Sequence, residues 1–165
     1  MILDLKKVFL IENETLSISA DVDIIDCFIN DTARFEGIPT AEINIRNSAG
    51  LVLFEAKVQY EYVYCCDRCG KEEKRKDACI FRHILVTCLT EDSGDDYIEA
   101  PDYKLDTDIL LRDDILLELP SKFLCKKTCK GLCPKCGKNL NEGPCSCSAK
   151  ETDPRLAVLK QLLSE

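Results

Sequence analysis

The sequence of 165 residues contains no tryptophan, one methionine and one histidine, His83. A single histidine excludes histidine-rich metal sites and most histidine-based catalysis. No window holds the roughly 18 apolar residues of a membrane span, and the first residues lack a secretory signal. Nucleotide-binding P-loops, Gly-x-Ser-x-Gly elbows and His-Glu-x-x-His motifs are also missing. We therefore expect a cytoplasmic protein that is not an enzyme, has no small-molecule substrate and does not contact a membrane.

Cysteine, by contrast, is abundant, with 12 residues in the chain. In a secreted protein this count would indicate disulfides. In the reducing compartment expected here, clustered cysteines are more typical of metal ligands or redox thiols. Cys27, Cys79 and Cys88 lie in apolar or strand-like contexts, so we interpret them as buried, inert thiols.

The charge of the chain is unevenly distributed around its net value of −8. Residues 1–120 carry a net charge of −13, whereas residues 121–165 carry +5. Within residues 121–150, seven lysines accompany a single glutamate. Such asymmetry indicates contact with nucleic acid or with an acidic partner. It is equally consistent with a small metal-binding module that needs surface lysines for solubility.

Alternating apolar and polar residues predict a β-rich body in the first half of the chain. Runs at Ala41–Arg46 and Leu51–Tyr64 flank a turn-like Asn-Ser-Ala-Gly segment, and together they predict a long hairpin. A third run, Lys74–Leu89, is expected to pair with the second. Strand–helix alternation is absent, which argues against a parallel βαβ sheet. Weaker strands are predicted at Leu5–Ile11 and Leu16–Val22.

Two helices are predicted in the second half of the chain. Residues 91–103 are acidic and interrupted by glycine and proline, so we expect a loop there. A helix at about 106–119 is capped by Asp106 or Thr107 and ends before Pro120. The second helix, at 151–165, has Asp153 as its N-cap. The apolar face of the first helix is assigned to Leu105, Ile109, Leu116 and their neighbours.

These elements predict an α+β fold. An antiparallel β-rich body, hairpin or barrel-like, carries two short helices and a cysteine-rich zinc-knuckle tail. The expected domains are the body at 1–120, the metal-binding tail at 121–150 and the C-terminal helix at 151–165.

The tail, residues 121–150, contains six candidate metal ligands. The sequence Cys133-Pro-Lys-Cys136-Gly is a zinc knuckle, in which two thiolates spaced by two residues can bind one ion. A tetrahedral site needs a second pair, supplied either by Cys145 and Cys147 or by Cys125 and Cys129, so four of the six are ligands. Because the tail has almost no apolar core, structural zinc would stabilise its fold. Free thiols and an iron–sulfur cluster are the alternatives.

A further pair, Cys66 and Cys69, follows the longest predicted strand. Its spacing suits half of a zinc site. Joined to two tail thiols, the pair would link the tail to the body and allow two four-thiolate sites. The alternatives are a knuckle without metal and a redox pair, although a redox pair belongs in a βαβ setting that is absent here.

Several motifs in fixed order resemble the YceD family, and the resemblance spans most of the chain. It is strongest from about residue 104 to residue 163. The motifs are Cys66-Asp-Arg-Cys69, the LDTDILLRDDILLELP segment at 105–120, Cys129-Lys-Gly-Leu-Cys133-Pro-Lys-Cys136-Gly137, Asn139-Leu-Asn141, Cys145-x-Cys147 and Asp153-Pro-Arg-Leu156.

The resemblance implies a non-enzymatic role in the accumulation of 23S rRNA and in assembly of the large ribosomal subunit. The chain is similar to a branch that keeps the tail cysteines. Because other branches lack most of them, the metal is expected to be structural. The implied partners are the large-subunit precursor, 23S rRNA or a basic ribosomal protein that would complement the acidic body. Candidate contacts to phosphates or to a partner are Lys126, Lys127, Lys130, Lys135 and Lys138.

Two other functions are consistent with the same residues. Cys66 and Cys69 could serve thiol redox chemistry or metal handling. Alternatively, the tail could be a zinc-ribbon module for protein interaction, as found in transcription components.

Overall fold

The computed structural model describes residues 1–24, 28–30, 33–89 and 97–147. The chain divides into two compact units, with the boundary between Cys125 and Lys126. The predicted C-terminal helix at 151–165 and Cys27 lie outside the described residues. The helices in the described part of the chain are too short or too polar to span a lipid bilayer. The elements, all in the first unit, are β1 (Ile2–Asp4), α1 (Lys6–Leu10), β2 (Thr15–Asp21), β3 (Phe28–Asn30), β4 (Ala33–Phe35), β5 (Thr40–Ser48), β6 (Leu51–Cys65), β7 (Glu72–Val86), β8 (Tyr97–Glu99), a 3₁₀ turn (Pro101–Tyr103), β9 (Lys104–Asp106) and α2 (Thr107–Glu118).

Strand β6 is the centre of the main sheet. It pairs antiparallel with β5, from Thr40 opposite Gln59 to Ser48 opposite Leu51, and β4 continues the pairing beyond β5. Strand β7 pairs antiparallel with almost the whole of β6, and β2 extends the sheet from β5. The predicted hairpin and the pairing of its second strand with the third run are therefore present. One short parallel pair, between β7 and β8, departs from the otherwise antiparallel pattern.

The inner face of this curled sheet forms the core of the first unit. Alternation along β5 and β6, interrupted in its burial at Val63, places every second side chain on that face, as the period of two requires. Each large apolar side chain buried this way contributes about 1.5–3 kcal/mol. The buried residues of β5 and β6 that face the core are Ala41, Ile43, Ile45, Val52, Phe54, Ala56, Val58, Tyr60, Tyr62 and Tyr64.

Helix α2 lies where the sequence predicts a helix, but it buries a different face. The Asp106 carboxylate accepts the Asp108 N–H at 3.1 Å and caps the helix, which ends at Glu118, two residues before Pro120. Thr107, Leu111 and Ile115, spaced by four residues, are buried, whereas Ile109 is 51% exposed. Of the three residues named for the predicted apolar face, Ile109 was therefore wrong, whereas Leu116 is half-buried. Leu105 is buried from β9, before the helix begins, so it could not set the phase of the helical face.

Two local predictions are corrected by the structure. The segment Leu5–Ile11, predicted as a strand, contains α1, because buried Leu5 and Val8 are three residues apart and pack as a helical face. Buried Asn47 donates to the Val8 carbonyl at 2.9 Å, which satisfies the end of this short helix. Within the predicted loop at 91–103, residues 97–103 form β8 and the 3₁₀ turn, and the Ala100 N–H donates to the Val86 carbonyl.

The two faces of α2 give a matched test of this core. We expect Leu111→Ala to lower the free energy of unfolding by about 2–5 kcal/mol, because it leaves a cavity under the sheet. Leu117→Ala, on the same helix, should change it by less than about 0.5 kcal/mol, because Leu117 is 85% exposed. Urea unfolding followed by far-ultraviolet circular dichroism measures both. Equal losses would contradict the orientation of α2.

Candidate metal centres

The first cysteine pair lies in the turn between β6 and β7. The Gly70 N–H donates to the Cys66 carbonyl at 2.8 Å, and the Cys66 N–H donates to the Lys71 carbonyl at 2.9 Å. Gly70 has a φ of +68°, a left-handed conformation that favours glycine. The turn therefore places Cys66 and Cys69, both buried, on one tight loop.

The second unit contains a turn with the same hydrogen bonds. The Gly137 N–H donates to the Cys133 carbonyl at 2.8 Å, and the Cys133 N–H donates to the Lys138 carbonyl, also at 2.8 Å. Gly137 has a φ of +72°. Because both turns read Cys-x-x-Cys-Gly, the shared geometry follows from the shared local sequence.

A reciprocal pair of hydrogen bonds attaches the segment before Cys125 to the first turn. The Asp67 N–H donates to the Phe123 carbonyl at 2.8 Å, and the Phe123 N–H donates to the Asp67 carboxylate at 2.7 Å. The Tyr64 hydroxyl donates to the Leu124 carbonyl at 3.2 Å. Phe123 itself is buried, with its ring centroid 5.3 Å from that of Tyr64. These contacts determine where Cys125 lies.

The first unit therefore brings three cysteines together. The Cys125 sulfur lies 3.7 Å from the Cys69 sulfur, and Cys66 belongs to the same turn as Cys69. A tetrahedral zinc site with metal–sulfur bonds of about 2.3 Å separates its sulfurs by about 3.8 Å. The spacing of Cys69 and Cys125 matches that requirement, so the three thiols fit a thiolate-binding metal.

The second unit brings four cysteines together. The sulfurs of Cys133, Cys136, Cys145 and Cys147 all lie within 4.8 Å of one another, and those of Cys133 and Cys145 are 3.5 Å apart. Cys133 is buried, Cys145 and Cys147 are half-buried and Cys136 is exposed. Four thiols at these separations are the donor set of a structural tetrahedral site.

Neighbouring backbone N–H groups favour the ionised form of one thiol in each cluster. Burial raises the pKa of Cys66, but N–H groups of Cys125, Arg68 and Cys69 outweigh it and lower the pKa to about 6. For Cys133, N–H groups of Cys136 and Lys135 and the Cys145 thiol lower the pKa to about 6. Thiolates are the form that binds metal, so both turns are prepared for a cation.

The last thiol of the second cluster shows the opposite shift. Contact with Cys136, then burial and contact with Cys133, raise the pKa of Cys147 to about 12. Four thiolates this close repel one another unless a cation lies among them. The opposing shifts of Cys133 and Cys147 therefore reflect the crowding of four thiols, which a bound cation would relieve.

Cys129, in the second unit, is buried and has a side-chain partner of its own. The Asn141 amide donates to the Cys129 sulfur at 3.3 Å, and the Asn141 side-chain carbonyl accepts the Lys130 N–H at 3.0 Å. Asn141, like Asp67 and Tyr64, is a supporting residue that cysteine spacing alone does not identify. The detectable signal was the Asn-x-Asn pattern, because the Asn139 side chain accepts the Asn141 N–H as in an Asx-turn.

The five lysines singled out from the sequence belong to the second unit. Lys135 and Lys138 are in or next to the second turn, and Lys138 donates to the Pro144 carbonyl at 2.9 Å. All five are exposed: Lys126, Lys127, Lys130, Lys135 and Lys138.

The remaining candidates lie away from these clusters. The His83 Nε2 atom is 2.8 Å from the Asp114 carboxylate, a contact that joins β7 to α2. Cys79 is half-buried beside the Tyr60 hydroxyl, whereas Cys88 is exposed. The prediction that Cys88 is buried was therefore wrong, because it lies just beyond the end of β7 at Val86.

Comparison with known proteins gives one family and one relative. The family model described as large ribosomal RNA subunit accumulation protein YceD matches residues 54–163, more than half of the chain. An Arabidopsis thaliana protein named large ribosomal RNA subunit accumulation protein YCED homolog 1, chloroplastic, is 40% identical over 52 residues. That match covers 32% of this chain and only 16% of the relative's length. No solved structure matches the chain.

Removal of one thiol tests the cluster of the second unit. We expect Cys133→Ser to lower the metal content of the purified protein and to unfold the second unit, while the β-rich body keeps its circular dichroism. Mass spectrometry of bound metal, together with alkylation of the remaining thiols, measures the loss. Cys88→Ser is the matched control, because its exposed thiol lies outside both clusters. Equal metal content in both variants would contradict the assignment.

Proposed function

The chain belongs to the YceD family of large ribosomal RNA subunit accumulation proteins, and from this membership we propose a non-enzymatic role in large-subunit biogenesis. The family match carries this proposal, since it covers both cysteine turns, α2 and the lysine-rich segment. In this role the protein associates with the precursor of the large subunit and promotes accumulation of 23S rRNA. A cytoplasmic location is part of the proposal, although the Arabidopsis relative is chloroplastic by name.

Zinc is the metal proposed for both clusters. In the second unit the ligands are Cys133, Cys136, Cys145 and Cys147, whose chemistry suits structural zinc. Bound zinc would supply folding free energy and no reaction step, because it leaves no open coordination position in a four-thiolate set.

For Cys66, Cys69 and Cys125 we propose Cys129 as the fourth ligand. The proposal rests on sequence spacing, because Cys129 follows Cys125 by four residues. The metal content of the purified protein distinguishes a site that includes Cys129 from a site that does not. Two bound ions per chain, falling to one in Cys129→Ser, support this ligand set. Two ions retained in that variant would refute it.

We propose that the second unit contacts rRNA through phosphates. Its five exposed lysines are carried on turns that zinc would hold in place, so their charges keep a defined arrangement. Phe123 is the sole aromatic residue in the sequence from 121 to 150, and it is 3% exposed in the first unit. Stacking on bases therefore contributes little, and recognition rests on the backbone of the RNA.

A thiol-redox role is the second candidate, and the lowered pKa of Cys66 is the observation that favours it. A redox pair needs two thiols, whereas the structure brings a third, Cys125, to the Cys66–Cys69 turn. Disulfide exchange with a dithiol substrate would support the redox role. Zinc that survives mild chelation, with thiols inert to alkylation, would support the structural one.

The third candidate is a zinc-ribbon interaction module. The experiment that tests the main proposal also tests this candidate. The tagged protein is purified from its own cells at low salt, and the copurifying RNA and proteins are identified. We expect precursor 23S rRNA with large-subunit proteins. Copurification of RNA polymerase without rRNA would favour the interaction module. If neither rRNA nor RNA polymerase copurifies, the ribosomal role is refuted.

Charge reversal in the second unit tests the RNA contact. We expect the triple variant Lys126→Glu, Lys127→Glu and Lys130→Glu to abolish association with immature large subunits. In the wild type, association should weaken steeply with salt, with a slope of about −0.7 to −0.9 per phosphate contacted. Sedimentation of cell extracts with quantification of bound protein measures both effects.

A matched control distinguishes the loss of a specific lysine contact from the effect of a changed net charge. Reversing Lys6, Lys7 and Lys57, three exposed lysines of the first unit, changes the net charge by the same amount. This control should retain association. If it loses binding as the first variant does, general repulsion and not a lysine contact explains the result.

A further inference from the structure

The first unit has an exposed apolar groove beside α2, away from the cysteines. It has a volume of about 440 Å³ and lies among β1, β8, the 3₁₀ turn, β9 and the first half of α2. Its apolar lining residues are Ile2, Ile98, Pro101, Leu105, Ile109 and Leu110. Single exposed apolar side chains are common on protein surfaces, but a contiguous set in a concave groove marks an interaction site.

The phase of α2 explains why Ile109 remains exposed beside the groove. Because Leu111 and Ile115 face the core, Ile109 must lie on the opposite side of the helix. Ile2 is 68% exposed and Ile109 is 51% exposed, so both offer apolar surface to a partner. Two turns beyond Ile109, Leu117 extends the exposed apolar surface of the helix, with 85% of its side chain accessible.

The rim of the groove is mainly acidic. Glu99, Asp106 and Asp113 line it, against one base, Lys104. Asp106 caps α2, so the acidic character available to a partner comes chiefly from exposed Glu99 and Asp113. The surrounding charge has the same sign, since residues 1–120 carry a net charge of −13.

We propose that this groove binds a basic, amphipathic segment of a partner protein. Apolar side chains on one face of the segment would enter the groove, and flanking lysines or arginines would pair with Glu99 and Asp113. Burial of the apolar face supplies most of the affinity, whereas the charges select a basic partner. An RNA partner does not fit this surface, because phosphates would meet an acidic rim and bases would meet no exposed aromatic ring in the groove lining.

The identification of the partner as a ribosomal protein rests on the proposed function. The inference that the groove binds a basic, amphipathic segment does not depend on that function. The inference deepens that function by separating two contacts. The second unit would bind rRNA phosphates, and the groove of the first unit would bind a basic protein segment.

A synthetic peptide tests the groove in the full-length, metal-containing protein. The probe is a fluorescent 18-residue peptide of leucine and lysine with all leucines on one helical face, compared with a scrambled peptide of the same composition. We expect the patterned peptide to bind at least tenfold more tightly by fluorescence anisotropy. Ile109→Gln should weaken its binding at least tenfold, and Asp113→Asn about threefold at low salt.

Two matched controls lie on the sheet of the same unit. Ile80→Gln removes an isoleucine of similar exposure, 50%, and Glu42→Gln removes an exposed carboxylate. Both should bind the patterned peptide as the wild type does. All four variants should melt at the wild-type temperature, because the substituted side chains are exposed. Thermal melting measures this.

Three outcomes would overturn the proposal. In the first, the protein binds the two peptides equally tightly or binds neither of them. In the second, the control variants lose as much affinity for the patterned peptide as Ile109→Gln and Asp113→Asn do. In the third, sedimentation shows a dimer that Ile109→Gln dissociates. The dimer would identify a second copy of this chain as the occupant. Failure of the proposed function can be distinguished from failure of the groove proposal. The first is shown by the absence of rRNA from the wild-type purification and does not depend on the peptide-binding result.

Discussion

The alternating burial of strand β6 is the constraint on which the rest of the first unit depends. Every second residue from Val52 to Tyr64 faces the core, and the same strand pairs with β4, β5 and β7. A slip of one residue would turn this whole set of side chains toward water, so the register is strongly specified. Because the register is specified, the end of β6 is too, and the Cys66–Gly70 turn that follows has a defined position.

The same strand also places a cysteine from a distant part of the chain. Tyr62 and Tyr64 contact the Phe123 ring, and Asp67 exchanges two hydrogen bonds with the Phe123 backbone. Hydrogen bonds to a carboxylate are among the stronger ones in proteins, about 1.5–3 kcal/mol each. Aromatic packing and backbone pairing together therefore bring Cys125 to Cys69, a residue 56 positions earlier in the chain.

The proposed binding surfaces follow from the local turns and from the packing of α2. Thiols gathered by these turns favour a cation, because backbone N–H groups lower the pKa of Cys66 and of Cys133 while crowding raises that of Cys147. On α2, the packing of Leu111 and Ile115 leaves Ile109 exposed above an acidic rim. A basic, lysine-bearing second unit and an acidic first unit thus carry charges of opposite sign, as the two proposed contacts require.

Elements whose signals are local could be predicted from the sequence. Period-two alternation predicted the hairpin of β5 and β6, and the Asp106 cap and Pro120 predicted α2. The family resemblance was also readable, and the family match confirms it. Long-range packing selects the rest: Cys125 lies beside Cys69, Cys145 and Cys147 lie with Cys133 and Cys136, and Ile109 faces water. Spacing left these open because several pairings satisfy the same four-thiolate chemistry, and a helix of mixed apolar residues has no unique phase. Contacts between residues far apart in the chain select among them, and no local pattern records those contacts.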